Sequence, residues 1–159
     1  MNHYAIEIPI LSQALALGAI SVAQVIAWAD RNIEQEANPA NWLLAIAMAG
    51  SASVTEVSSL LKGASVATAV DDDVFLAIIA GTFLHQRQTA DKTIAALLER
   101  FCYVDWQERG PLRQELYLID DEWGWSPATA IARLEKLLRP YLPQYDSLLE
   151  ELGLTNGGR

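Results

Sequence analysis

What most constrains this chain is its rhythm. From Pro9 to Leu152, nearly every segment repeats its apolar residues at intervals of three and four, and most such segments end at a glycine, a proline or a capping residue. That spacing lines apolar side chains along one side of a helix, whereas a half-buried strand alternates at every second position. No convincing pair of strands can be read in the chain. The expected fold is all-α: a single compact domain of about seven or eight helices over residues 1–152, built of antiparallel helical hairpins or a short α-α superhelix. Residues 153–159 are expected to form a disordered tail.

The punctuation sets the expected helices. Pro9 suits the first turn of a helix carrying Leu11, Ala14 and Leu15, and Gly18 ends it. Ser21 and Gln24 then form a capping box, with Ile20 and Val25 placed as a hydrophobic staple. The face Val22, Val25, Ile26, Ala29 and Ile33 points inward, and Trp28 falls to the side of it. Asn38 and Pro39 start a third helix, in which Trp42, Leu43, Leu44, Ile46 and Met48 cover nearly all sides. An all-round apolar helix is buried by several neighbours. Ser53 and Glu56 make a second capping box before Val57, Leu60 and Leu61, and Gly63 closes that helix.

Asp71, Asp72 and Asp73 suit the positive end of the helix that follows, "VFLAIIAGTFLHQ", which is apolar enough to belong at the centre. A helix near 90–102 carries Ile94, Leu97, Leu98 and Phe101. Pro111 opens another, with Leu112, Leu116 and Ile119 inward and Trp123 returning to the same face, and Gly124 reads as its stop. Ser126 and Pro127 start the next, which Pro140 and Pro143 break before a last helix with Leu148, Leu149 and Leu152. Residues 64–70 stay open between loop, short strand and helix extension.

One internal likeness recurs. Residues 18–25 read GAISVAQV and residues 50–57 read GSASVTEV, 32 residues apart. Such a period is typical of stacked helical hairpins, but a solenoid needs at least three copies and no third is present. Two generic helix-turn-helix corners are the better account of it.

Composition narrows the function classes. The net charge of −9 disfavours nucleic acid, because phosphate binding needs clustered Lys and Arg. It also disfavours an anionic membrane surface, and it permits a basic protein partner. Residues 8–29 are long enough to span a bilayer, yet Pro9, Gln13, Gly18 and Gln24 interrupt them and no basic cluster flanks them. No membrane segment or signal peptide is expected. Cys102 is the only cysteine, so no internal disulfide forms and a reducing, cytoplasmic setting is expected. An inert, buried thiol is expected there.

The stock for catalysis is thin. The histidines are His3 and His85, and His85 ends the most apolar helix. It is the best candidate for a general base or ligand, although the negative end of a helix dipole favours a histidine there without any chemistry. No zinc spacing, calcium loop, phosphate loop or nucleophile elbow is present, and no cofactor or metal is expected.

What remains is recognition. Trp28, Tyr103, Trp106, Tyr117 and Trp125 belong to no inward stripe, and several lie near acids. Aromatic anchors ringed by carboxylates select a basic partner. The candidate partner-binding residues are Asp120, Asp121, Glu122, Trp125, Trp106, Asp105 and Trp28. The acidic trio stands out because carboxylates near a helix C-terminus oppose its dipole. The expected function is a non-enzymatic helical interaction module, in concrete form an acidic inhibitor or immunity-type protein that masks a basic partner. Two alternatives stand beside it. One is a small-molecule-binding or enzymatic domain with an apolar central pocket near His85. The other is a structural homodimer that packs through the apolar first half.

Overall fold

The computed structural model describes residues 3–64, 70–103 and 110–154, and it is all-helical over them. The elements are α1 (Tyr4–Ala16), α2 (Val22–Gln35), α3 (Asn41–Ala47), α4 (Val54–Ala64), α5 (Asp72–Leu84), α6 (Ala90–Phe101), α7 (Pro111–Trp125), α8 (Pro127–Leu138), a 3-10 turn (Arg139–Tyr141) and α9 (Leu142–Glu151). The open segment 64–70 lies outside the described residues except at its two ends, Ala64 and Val70.

α5 is the axis of the fold, as its composition predicts. Every residue from Phe75 to Thr82 is buried. Ala77 and Ile78 join a cluster built from α1 to α4 and α9, including Leu11, Leu15, Val25, Leu43, Ile46, Val57 and Leu61. Phe75, Leu76, Ile79 and Ala80 join a second cluster with Leu97, Leu98, Leu116, Ile119, Ala130, Leu134 and Leu138 of α6 to α8. A helix with no polar side is stable only between two such layers. α9 packs on α5 closely because Gly81 has no side chain: a Cβ there would run into the Tyr145 ring. α1 packs on α4 and α5 on α9, so helices distant in the chain close round a shared core. A superhelix instead pairs each hairpin with its neighbour.

Both capping boxes form. Gln24 N–H donates to Ser21 Oγ at 3.2 Å, and Ser21 N–H donates to Gln24 Oε1 at 2.9 Å. The Ser53 and Glu56 pair repeats this at 3.2 and 2.8 Å. The two corners share their box but not their turn. Gly18 has φ +79° and Ala19 N–H reaches back to Ala14 O, which closes α1 in a left-handed cap. Gly50 has no positive φ. The repeated motif is therefore a repeated local cap.

Several boundaries differ from expectation. α1 begins at Tyr4, so Pro9 lies inside it rather than in its first turn. Pro9 removes one backbone hydrogen bond, the one to the carbonyl of Ala5, an exposed residue. α3 starts at Asn41, and it is not buried all round: Leu43 and Ile46 face the core while Leu44 is exposed and Met48 is 85% exposed. α7 passes through Gly124, which costs about 1 kcal/mol relative to alanine and does not stop a helix by itself. The break at Pro140 and Pro143 is as expected: α8 ends at Leu138, a 3-10 turn follows and α9 begins at Leu142, with each proline in the first positions of a new helical segment, where a missing N–H is harmless. Leu154, assigned to the tail, is buried in the first cluster, and Arg31 donates to the carbonyls of Leu152 and Gly153.

Among the described residues, no helix is long and apolar enough to cross a membrane.

Candidate functional site

The hairpin of α7 and α8 holds the residues singled out from the sequence. Pro111 opens α7, and Leu112, Leu116, Ile119 and Trp123 pack on the second cluster. The helix ends one residue before Pro127, since a residue preceding proline is pushed out of the helical region. Ser126 takes that place with φ −141° and ψ 73°, closing α7 and opening α8. It caps by an indirect route: its hydroxyl meets the Thr129 hydroxyl at 2.8 Å, and its carbonyl accepts from Thr129 N–H at 3.0 Å.

The acidic trio comes apart on this helix. Consecutive helical residues point about 100° apart, so Asp120, Asp121 and Glu122 cannot share one patch. Glu122 turns inward and is buried, a correction to its expected place on the surface. Its Oε2 meets Arg133 Nε at 2.8 Å, and Arg133 also reaches Glu115 at 3.4 Å. The paired charges, Glu122 first, raise the Arg133 pKa above its ordinary value. This ion pair removes the puzzle of a carboxylate opposing the helix dipole: an arginine from the next helix answers it.

Asp120 stays exposed, and its charge is felt by Cys102. The Cys102 thiol is buried, and burial pushes its pKa up. The Arg113 charge and a hydrogen bond with Tyr117 pull it down, and the Asp120 charge adds to the rise. A thiol held in its protonated form is a poor nucleophile.

Asp121 stays outside with different company. Tyr117, Leu118, Asp121 and Trp125 fall within an arc of about 100° on α7. Tyr117 and Leu118 are each 46% exposed and Trp125 is 75% exposed. The sequence marks Trp125, Asp121 as one of the acidic trio, and Tyr117 as an aromatic outside any inward stripe, but neither Leu118 nor the arc they share. A helical wheel over residues 117, 118, 121 and 125 carries the signal. Beside this arc, across Glu115, a groove of about 610 Å³ is lined on α8 by Thr129, Ala132, Arg133, Lys136 and Leu137.

The other candidates separate from this surface. Trp28 is 1% exposed and belongs to the core, which corrects its assignment to a partner surface. Its ring stacks with Trp42 at 6.4 Å between centroids, Tyr4 meets both edge-on, and its Nε1 donates to Glu7 Oε2 at 2.9 Å. α1 and α3 together cover it, which a single-helix reading of α2 cannot show. Asp105 and Trp106 lie outside the described residues.

His85 closes α5 at the surface, with Nε2 3.8 Å from Asp146 and its ring 6.0 Å from the Tyr145 ring. A second groove, of about 570 Å³, runs between α1, α5 and α6 past Gln13, Leu17, Phe75 and Arg100. Arg100 is already engaged there, by Asp72 at 3.1 Å and over the Phe75 ring at 4.9 Å. Among the described residues, no three His, Cys, Asp or Glu side chains converge as a metal site would require.

No protein-family model matches the chain, and no curated protein or solved structure matches it.

Proposed function

We propose that the protein is a non-enzymatic helical interaction module that binds a basic protein through α7. An inhibitor or immunity-type protein that masks a basic toxin, nuclease or regulator is the concrete form. One observation carries the reading: Tyr117, Leu118 and Trp125 are left exposed on one arc around the exposed carboxylate of Asp121, which enters no ion pair among the described residues. Large aromatic rings outside the core are the side chains that most often anchor an interface. A carboxylate among them and a chain charge of −9 set the sign of the partner, through steering at long range and pairing at contact.

A photo-crosslinking side chain placed at Leu118 in the native cells tests this. The expected product is one basic protein, joined to the wild-type chain and lost in Asp121→Lys and Trp125→Ala. Trp125→Ala should weaken that complex by about 2 kcal/mol or more, roughly thirtyfold. No crosslink from the arc, together with a metabolite that co-purifies with the chain, would contradict the proposal and favour the pocket reading near His85.

A further inference from the structure

The outer side of the α7/α8 hairpin carries a ridge and a groove next to each other. The ridge is the exposed arc of Tyr117, Leu118, Asp121 and Trp125. The groove begins at Glu115, has Ala132 and Leu137 among its apolar lining, and continues past Lys136 to Arg139 and Pro140. The two run side by side because α7 and α8 are packed neighbours joined at Ser126.

Their charges are opposite where they are free. Arg133 is held by Glu122 and Glu115, and Arg139 lies 4.0 Å from Glu135. Asp121 on the ridge and Lys136 in the groove are both exposed, and neither enters an ion pair among the described residues. Lysine is also scarce in this chain, which has only 11 Lys and Arg against 20 Asp and Glu. With Arg133 and Arg139 already answered by glutamates, the free lysine of the groove stands beside the free carboxylate of the ridge, and that one pair gives the two sides opposite charge.

A ridge beside a groove on one surface is complementary to itself under a two-fold rotation, since each copy offers what the other needs. We infer that the outer face of the α7/α8 hairpin docks a second copy of this chain, the ridge of each copy seated in the groove of the other. A two-fold axis running along the hairpin lays α7 of one copy over α8 of the next, as in a four-helix bundle made of two hairpins. Leu118 and Trp125 then cover the apolar groove residues, and Asp121 meets Lys136 across the interface. The charge of −9 on each copy opposes approach at long range. At physiological salt the screening length is about 8 Å, so charges in contact outweigh those spread over the surface.

The second copy occupies the same arc as the basic partner proposed above, so the two exclude one another. The inference rests on that proposal only for this competition.

Sedimentation velocity on the full chain, from low to high micromolar in physiological salt, tests the docking. Wild type is expected to self-associate. Asp121→Lys and Lys136→Asp should each weaken association about tenfold, and the double variant should restore it by exchanging the charges. Both residues are exposed, and far-ultraviolet circular dichroism checks that each variant keeps its helicity. A wild type that stays monomeric overturns the inference, as does association that neither single variant weakens or the double variant does not restore. Lys136→Asp leaves the arc intact and separates the two readings. If wild type is monomeric but Lys136→Asp still captures a basic protein, only the docking fails. If the charge exchange behaves as expected but monomeric Lys136→Asp captures none, only the proposed function fails.

Discussion

Two corners of this molecule set tryptophan beside carboxylates, and they use them in opposite ways. Where α1, α2 and α3 meet, Trp28 is enclosed by Trp42 and Tyr4, and Glu7 accepts its indole N–H while Glu36 accepts the Tyr4 hydroxyl. The Trp28 indole N–H and the Tyr4 hydroxyl are both answered from within the chain. On α7, Trp125 and Asp121 share an arc that the fold leaves open. Local composition is alike in the two places, so an aromatic residue near an acid does not by itself mark a recognition surface. The number of helices that reach the ring decides.

The comparison can be broken most easily by truncation. Trp28→Ala is expected to cost about 3–5 kcal/mol of stability, the range for a large buried aromatic ring. Trp125→Ala should change stability by no more than about 0.5 kcal/mol, as for other exposed positions. Urea unfolding of the two variants checks both. Similar losses would mean that Trp125 is part of the core.

Two glycines sharpen the same contrast at smaller magnitude. Gly81→Ala forces a Cβ into the Tyr145 ring and should cost about 1–3 kcal/mol. Gly124→Ala meets nothing within 4 Å on the hairpin and should stabilise α7 by about 0.5–1 kcal/mol. Thermal unfolding of the pair should show midpoints shifted in opposite directions.

The smallest effect appears in alkali. Burial first, then the Glu36 hydrogen bond and charge, then the Glu7 charge raise the Tyr4 pKa well above its ordinary value. The folded chain then holds that proton more tightly than the unfolded chain. The stabilisation is fully present below about pH 10, the ordinary tyrosine pKa, and is lost as pH rises beyond it. Unfolding free energy measured through that window should fall less steeply in Tyr4→Phe than in wild type. An unchanged slope would detach Tyr4 from the enclosed corner.

Much of the fold was legible because its signals are local. The two capping boxes need only the pairs Ser21 with Gln24 and Ser53 with Glu56. The central place of α5 follows from its having no polar side, and the inward stripe of α7 from Leu112, Leu116 and Ile119. What the chain alone did not reveal depends on distant partners. Trp28 is core because α1 and α3 arrive over it. Glu122 is buried because Arg133 comes from the following helix, and Leu154 because α9 returns to the first cluster. Met48 errs the other way: its segment is apolar all round, yet α2 and α4 cover only part of so short a helix. The candidate site was half legible. Asp121 and Trp125 were marked, but reading the acidic trio as one patch ignored the turn of about 100° between neighbours on a helix.

The most direct test sets the α7 arc against the most exposed large hydrophobic residue among the described residues, Met48. Wild type, Trp125→Ala and Met48→Ser are used in parallel for affinity capture from the native cells, with the urea midpoint of each measured alongside. Wild type and Met48→Ser should retain the same basic protein, and Trp125→Ala should lose it at an unchanged midpoint. Retention by Trp125→Ala, or loss in Met48→Ser alone, would place recognition somewhere other than α7.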